Sequence, residues 1–150
     1  MASATLLTKK CRYAIRAIFE LAARNSSVPT KVKQIASAQG IPVRFLEVIL
    51  AELKQGGFVE SYRGSNGGYI LTRNPQDLTV GKVIEFVQGR IGSSQFSGDV
   101  LRGRRGDYVF SKLWEQLSAS ISDVYNNKTF ADLVKEEFSL RRGYVPDYAI

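Results

Sequence analysis

Arg44, Glu47 and Val48 stand within five positions of one another, and Arg63 heads the glycine-rich run Arg63-Gly64-Ser65-Asn66-Gly67-Gly68. These residue types match the edges of base pairs. A guanidinium fits guanine O6/N7, a carboxylate accepts from a cytosine amino group, and an apolar side chain meets a thymine methyl. Phe45 lies among them, with packing against its own core and stacking both open to it. The glycines permit positive φ and remove the Cβ that would hold the chain off a sugar–phosphate surface. Arg63 can then enter a narrow minor groove, with Ser65 and Asn66 beside it. Upstream, Thr8, Lys9, Lys10 and Arg12 crowd the start of a helix. The helix dipole favours acids there, and bound phosphates would reconcile the two. Singly, each residue has a plainer reading as a solvated charge or a scattered surface hydrophobe. Together they point to duplex nucleic acid. A nucleotide-phosphate cradle is a poor alternative for the glycine run, because such loops lead from a strand into a helix and this one joins two strands.

Composition agrees. The chain of 150 residues carries 21 Lys/Arg against 14 Asp/Glu, a formal net charge of +7. Residues 1–90 hold 13 basic and 6 acidic side chains and residues 91–150 hold 8 of each, so the whole excess lies where the candidates lie. That is the electrostatic footprint of a nucleic-acid-binding module. One cysteine and no histidine exclude an internal disulfide, leave no zinc set and remove the commonest general base. Neither catalysis nor a metal or other cofactor is expected. No apolar run approaches the ~20 residues that cross a bilayer, and MASATLLTKK lacks the apolar core of a signal peptide. A cytoplasmic protein without a membrane partner is expected.

Positioning the base-reading side chains takes a helix and a hairpin. Val43, Leu46, Ile49, Leu50 and Leu53 recur at helical spacing, so Val43–Gln55 buries one side and turns Arg44, Val48, Ala51 and Gln55 to the other. Pro42 suits its first turn and Gly56-Gly57 its left-handed exit. Phe58–Tyr62 and Tyr69–Thr72 read as strands joined by the Arg63–Gly68 run. Before them, Thr8 caps a helix reaching Arg24, and Thr30 caps a short one holding Val32, Ile35 and Ala36 that Gly40 ends. Two helices about a tight turn with a third behind make a helix-turn-helix, and the hairpin is its wing.

The runs Leu7-Thr8-Lys9-Lys10-Cys11-Arg12-Tyr13-Ala14-Ile15, Ile35-Ala36, Gly40-Ile41, Phe45-Leu46-Glu47 and Arg63-Gly64 through Gly67-Gly68-Tyr69 closely resemble the Rrf2 family of bacterial winged-helix transcriptional regulators. Thr79–Ile84, Leu113-Trp114 and Thr129 through Leu133-Val134 continue the match in order, over roughly residues 7–135. The resemblance implies a homodimer that binds a pseudo-palindromic operator in double-stranded DNA, most often as a repressor, with the wing arginine, here Arg63, on the DNA. In many members three cysteines in a loop and a ligand from the next helix hold an iron–sulfur cluster. This sequence has none in that loop, and Tyr108 and Ser111 stand where such ligands are expected, so a conventional cluster is not expected. Cluster-free relatives also bind a cysteine-biosynthesis enzyme. An adaptor whose winged domain holds a metabolic enzyme is therefore the alternative function.

The expected fold is mainly α with a small β-hairpin. A winged helix-turn-helix domain spans 1–88, a glycine-rich connection 89–106, a dimerisation helix with a short terminal helix 107–138, and a tail 139–150. A helix from Thr79 carries Val80, Val83, Ile84 and Val87 and stops at Gly89. In Asp107–Asn127 the residues Phe110, Trp114, Leu117, Ile121 and Val124 form a heptad seam, widened by Leu113 and Tyr125. A second copy and the chain's own domain both remain open as its partner, and the resemblance favours the copy. Thr129-x-x-Asp132 caps the last short helix. The tail after Phe138 is expected to be extended, and Cys11 to be a small packed side chain.

Overall fold

Thr8 stops the chain from entering a helix one residue early. Its backbone is extended and its Oγ1 accepts from the Cys11 N–H at 3.1 Å. Helix α1, Lys9–Arg24, follows and ends at Asn25, whose left-handed backbone (φ 40) closes the last turn on Leu21 O. Cys11, Ala14, Ala17, Ile18, Leu21 and Ala22 form its buried side. In this computed structural model, which describes residues 6–92, 96 and 102–143, α1 is the hub. The second, third, fourth and terminal helices and the second strand all touch it.

Helix α2 is Val32–Gln39, and its cap is Lys31, not Thr30. Thr30 is committed elsewhere. Its N–H donates to Tyr69 O at 2.9 Å and its carbonyl accepts from the Tyr69 N–H at 2.8 Å, an antiparallel bridge that fastens the hairpin to the α1–α2 turn. Helix α3 is Val43–Gln55 as the periodicity predicts, with Leu46, Ile49, Leu50 and Leu53 buried. Val43, expected on that side, is exposed instead because it sits in the first turn before the helix meets its neighbours. The left-handed exit is made by Gly57 (φ 78), while Gly56 stays right-handed beneath the Phe86 ring.

Strands β1, Val59–Tyr62, and β2, Gly68–Leu71, pair antiparallel with Val59 opposite Leu71 and Tyr62 opposite Gly68. Gly68 is required here. A Cβ on it would lie 2.3 Å from Thr30 O, in the bridge that anchors the wing. Helix α4, Val80–Gln88, starts at a Thr79 cap and brings Gly81 against the long helix α5, Asp107–Asn127. Gly81 leaves no room for a side chain between Tyr125 and Asn126, so the two helices approach closely. Asp107 organises the start of α5 by accepting from the Arg102 and Arg104 backbone N–H groups, each at 3.0 Å. These bonds, with the Arg104 guanidinium, hold its carboxyl below the usual range.

The terminal helix α6, Phe130–Gly143, departs from expectation twice. It runs past Phe138, so the extended tail is helical as far as Gly143, and residues 144–150 lie outside the described residues. It also does not travel with α5. The Thr129 and Asp132 side chains cap its start reciprocally at 3.0 Å each, Phe130 N–H bonds Leu78 O at 3.0 Å, and Phe130 is fully buried in the main core. Leu133 and Val134 pack on the same core. Structurally α6 belongs with the winged helices, antiparallel along α1. A second, smaller core joins Cys11 of α1 to Ile84 of α4 and Ile91, with Ile121 and Tyr125 of α5 against it.

Candidate nucleic-acid interface

Helix α3 turns Arg44, Phe45, Glu47, Val48 and Ala51 outward, all exposed. Phe45 keeps 59% of its surface and Val48 57%, so packing against its own core is ruled out for Phe45. The helix is steadied at its C-terminal end from two sides. Glu52 meets Lys10 of α1 at 2.6 Å, and the Lys54 Nζ donates to Ser61 Oγ of β1 at 2.7 Å. The first contact gives Lys10 a different role from the one expected: its ammonium is directed at Glu52, between α1 and α3. The pair is about half exposed, so it orients more than it stabilises.

The wing carries Arg63, Ser65 and Asn66 at its tip, all exposed. Below the tip, the Tyr62 hydroxyl donates to Glu60 at 3.1 Å, which occupies that carboxylate and raises the tyrosine pKa. At the root, Arg73 lies over the Phe58 ring at 4.8 Å and the Thr72 hydroxyl bonds Gly57 O. Helix α3 and the wing are thus held together by side chains that periodicity does not single out.

At the start of α1, Lys9 and Arg12 are exposed, with the Lys9 Nζ 5.7 Å from the Tyr13 ring. Thr8 uses its hydroxyl as the cap. Its N–H donates to the Gln88 Oε1 at 2.9 Å, and the Gln88 Nε2 donates to Leu6 O at 2.9 Å. One amide at the end of α4 thereby fixes the segment leading into α1. No sequence signal reveals this pairing, since the partners are 80 residues apart.

The seven residues expected to form or widen one seam on α5 do not share one environment. Trp114 stacks between Phe110 and Phe96, with centroids 6.0 and 6.4 Å away, and Ile121 packs on the second core with Tyr125. Trp114 and Ile121 therefore serve the chain's own fold. Leu113, Leu117 and Val124 face outward beside them, with Val109 and Phe110, as an exposed apolar stripe. The cause is angular: α5 has two adjacent apolar faces, and among the described residues only the one toward α4 finds a neighbour in its own chain.

The donors for an iron–sulfur cluster do not fit. Cys11, the sole cysteine, is fully buried on α1, where burial pushes its thiol up to about 11. Tyr108 is exposed, the Asp107 carboxylate is engaged by backbone N–H groups, and no set of three His, Cys, Asp or Glu residues converges among the described residues. Part of the connection, 93–95 and 97–101, lies outside those residues but contains no cysteine or histidine. The neutral thiol has a measurable consequence. Folding favours the protonated form, so this contribution to stability is complete below pH 9 and is lost as pH rises from about 9 toward about 11. The stability advantage of wild type over Cys11→Ala, read from urea unfolding, should shrink by about 2–3 kcal/mol across that window. A constant advantage would refute the shifted thiol.

Comparison with known proteins places this geometry. The Rrf2 model, described as an iron-dependent transcriptional regulator, matches residues 7–136. The HTH-type transcriptional regulator IscR of Pectobacterium atrosepticum is 35% identical over 133 residues, covering 87% of this chain and 80% of the relative. Among solved structures, the T. potens IscR superposes with a TM-score of 0.73 at 31% identity, covering 95% of this chain and 93% of the other. CymR, the global cysteine regulator of B. subtilis, gives 0.75 at 28% identity, with 87% and 96% covered.

Proposed function

Because the chain belongs to the Rrf2 family and is a DNA-binding transcriptional regulator with a winged helix, we propose that two copies, joined through α5, bind a pseudo-palindromic operator and repress by occupying it. The observation that carries this reading is α3 itself: a helix buried on one side presents Arg44, Phe45, Glu47 and Val48 on the other, with an arginine-tipped wing fastened alongside. The basic excess in residues 1–90 supplies the attraction to phosphates. Lys9, Arg12 and the first backbone N–H groups of α1 hold the backbone, which sets orientation without reading sequence. Arg44 takes a guanine edge, Glu47 a cytosine amino group and Arg63 the minor groove, with Ser65 and Asn66 on adjacent backbone.

The outward stripe of α5, Leu113, Leu117 and Val124 with Phe110, is the surface for the second copy. Pairing would set two α3 helices about one DNA turn (~34 Å) apart, in register with successive major grooves. The residues present do not fit a thiolate-held iron centre, and none of these contacts needs one. The protein works without catalysis, in the cytoplasm; no helix among the described residues is long and apolar enough to cross a membrane.

The test is affinity for its own promoter fragment as salt rises. A reader making six to ten phosphate contacts loses about 10³–10⁵ in affinity between 50 and 200 mM salt. A flat profile would favour the adaptor reading. Within the same assay Arg63→Ala should weaken binding by about 1–3 kcal/mol if the guanidinium touches a base edge. A change within about 0.3 kcal/mol would remove Arg63 from the interface.

A further inference from the structure

The outward face of α3 carries Arg44 and Glu47 with the apolar Phe45, Val48 and Ala51, where a base-reading helix commonly carries amides. Arg44, Val48 and Ala51 follow one another along it, and Phe45 stands one turn from Val48 on the same surface. Glu52 and Lys54 are directed to Lys10 and Ser61 and leave this face to its neighbours. Between Arg44 and Gln55 no asparagine, glutamine, serine or threonine is present, so α3 has no bidentate partner for adenine N6/N7 before its last residue. Yet Phe45 and Val48 stay 59% and 57% exposed, with no core of their own to enter.

A major groove offers few apolar partners. Its walls are phosphates and its floor is polar except for the C5-methyl groups of thymine. Seven residues of helix span about 10 Å, close to three base-pair steps of ~3.4 Å. A stripe that begins with Arg44 and continues through Val48 and Ala51 therefore faces one edge for a guanidinium and then a short run of methyl-bearing ones. Charge complementarity commits this face to DNA and not to an apolar protein surface: Arg44 and Glu47 interrupt the apolar residues with groups that match base edges, and the whole basic excess of the chain lies in the segment that carries it.

We propose that Phe45 and Val48 are specificity-determining residues that read thymine methyl groups beside the guanine edge taken by Arg44 and the cytosine amino group taken by Glu47, so that each operator half-site is recognised without adenine amide pairing. The inference rests on the DNA-binding reading above and adds the chemistry of the sequence that is read.

The experiment removes the methyl group and nothing else. A site is first obtained by selecting random duplexes on the full-length protein, and each thymine in it is then replaced singly by deoxyuridine, which keeps base pairing intact. Wild type should lose affinity about three- to tenfold at one or two positions in each half-site, on the scale of one buried methyl per half-site. Val48→Ala or Phe45→Ala should bind the thymine and deoxyuridine duplexes within about 1.5-fold of each other at such a position, with the salt dependence on random DNA unchanged, since phosphate contacts are untouched. Wild-type indifference to deoxyuridine at every position would overturn the proposal and leave the DNA reading standing. So would a full deoxyuridine penalty surviving in both variants, because another side chain would then read the methyl. A wild type that binds no duplex in a salt-dependent manner, or whose Phe45–Val48 surface instead captures a protein, would overturn both.

Discussion

Leu113→Asp and Leu117→Asp should each leave the protein folded but monomeric, and reduce its affinity for a two-half-site operator by about 10²–10⁴-fold. Both side chains lie on the outward stripe of α5, 42% and 38% exposed, so little of the chain's own packing is lost. In a dimer the same positions would be buried, and a carboxylate without a counter-charge is not accommodated there. Once the copies separate, the second half-site is no longer reached at the high local concentration that the first one provides. Sedimentation equilibrium reads the association, and binding to a single half-site reads what remains of α3 and the wing. Half-site affinity should be nearly unchanged. Dimer mass persisting in both variants would show that another surface joins the copies. Trp114→Asp is a poorer test, because Trp114 stacks on Phe96 and Phe110 within its own chain.

Phe130→Ala should lower stability by about 3–5 kcal/mol, as deletion of a buried aromatic does. Phe130 is the first residue of α6 and sits fully buried in the main core. Its backbone N–H bonds Leu78 O, a link that alanine retains, so the loss measures the buried ring. Urea unfolding measures the loss through the midpoint, with the slope unchanged if the transition stays two-state. In low denaturant the folded variant should bind DNA as wild type does, because the deleted ring is fully buried and the exposed side chains of α3 and the wing are unchanged. A loss below about 1 kcal/mol would mean that α6 is an accessory and not part of the winged domain's core.

Much of this was legible from spacing alone. The buried sides of α1, α3 and α4 follow the 3.6-residue period, and the caps at Thr8, Thr79 and Thr129 are local side-chain chemistry that a few neighbouring residues decide. The wing is equally local, two short strands closed by glycines, with one-residue shifts at its edges. Thr30 is where local reasoning failed. A threonine before an apolar period is a sound cap signal, but its backbone pairs with Tyr69, 39 positions away, and cap geometry yields to that bridge. The helix past Phe138 has no apolar period to announce it: residues 138–141 are exposed, and Arg141 pairs with Glu137 one turn back at 2.8 Å.

The sequence by itself determined most of the elements, the basic excess of residues 1–90, the side of α3 that is buried and the lack of thiolate donors, because composition, period and capping need only neighbouring residues. Tertiary structure decided partners. It assigned Trp114 and Ile121 to the chain's own packing and left Leu113, Leu117 and Val124 outside, turned Lys10 toward Glu52, and closed the Gln88 amide on the approach to α1. A period states that a face is apolar or charged. Which surface meets that face depends on where distant segments come to rest, and that is fixed only when the whole core packs.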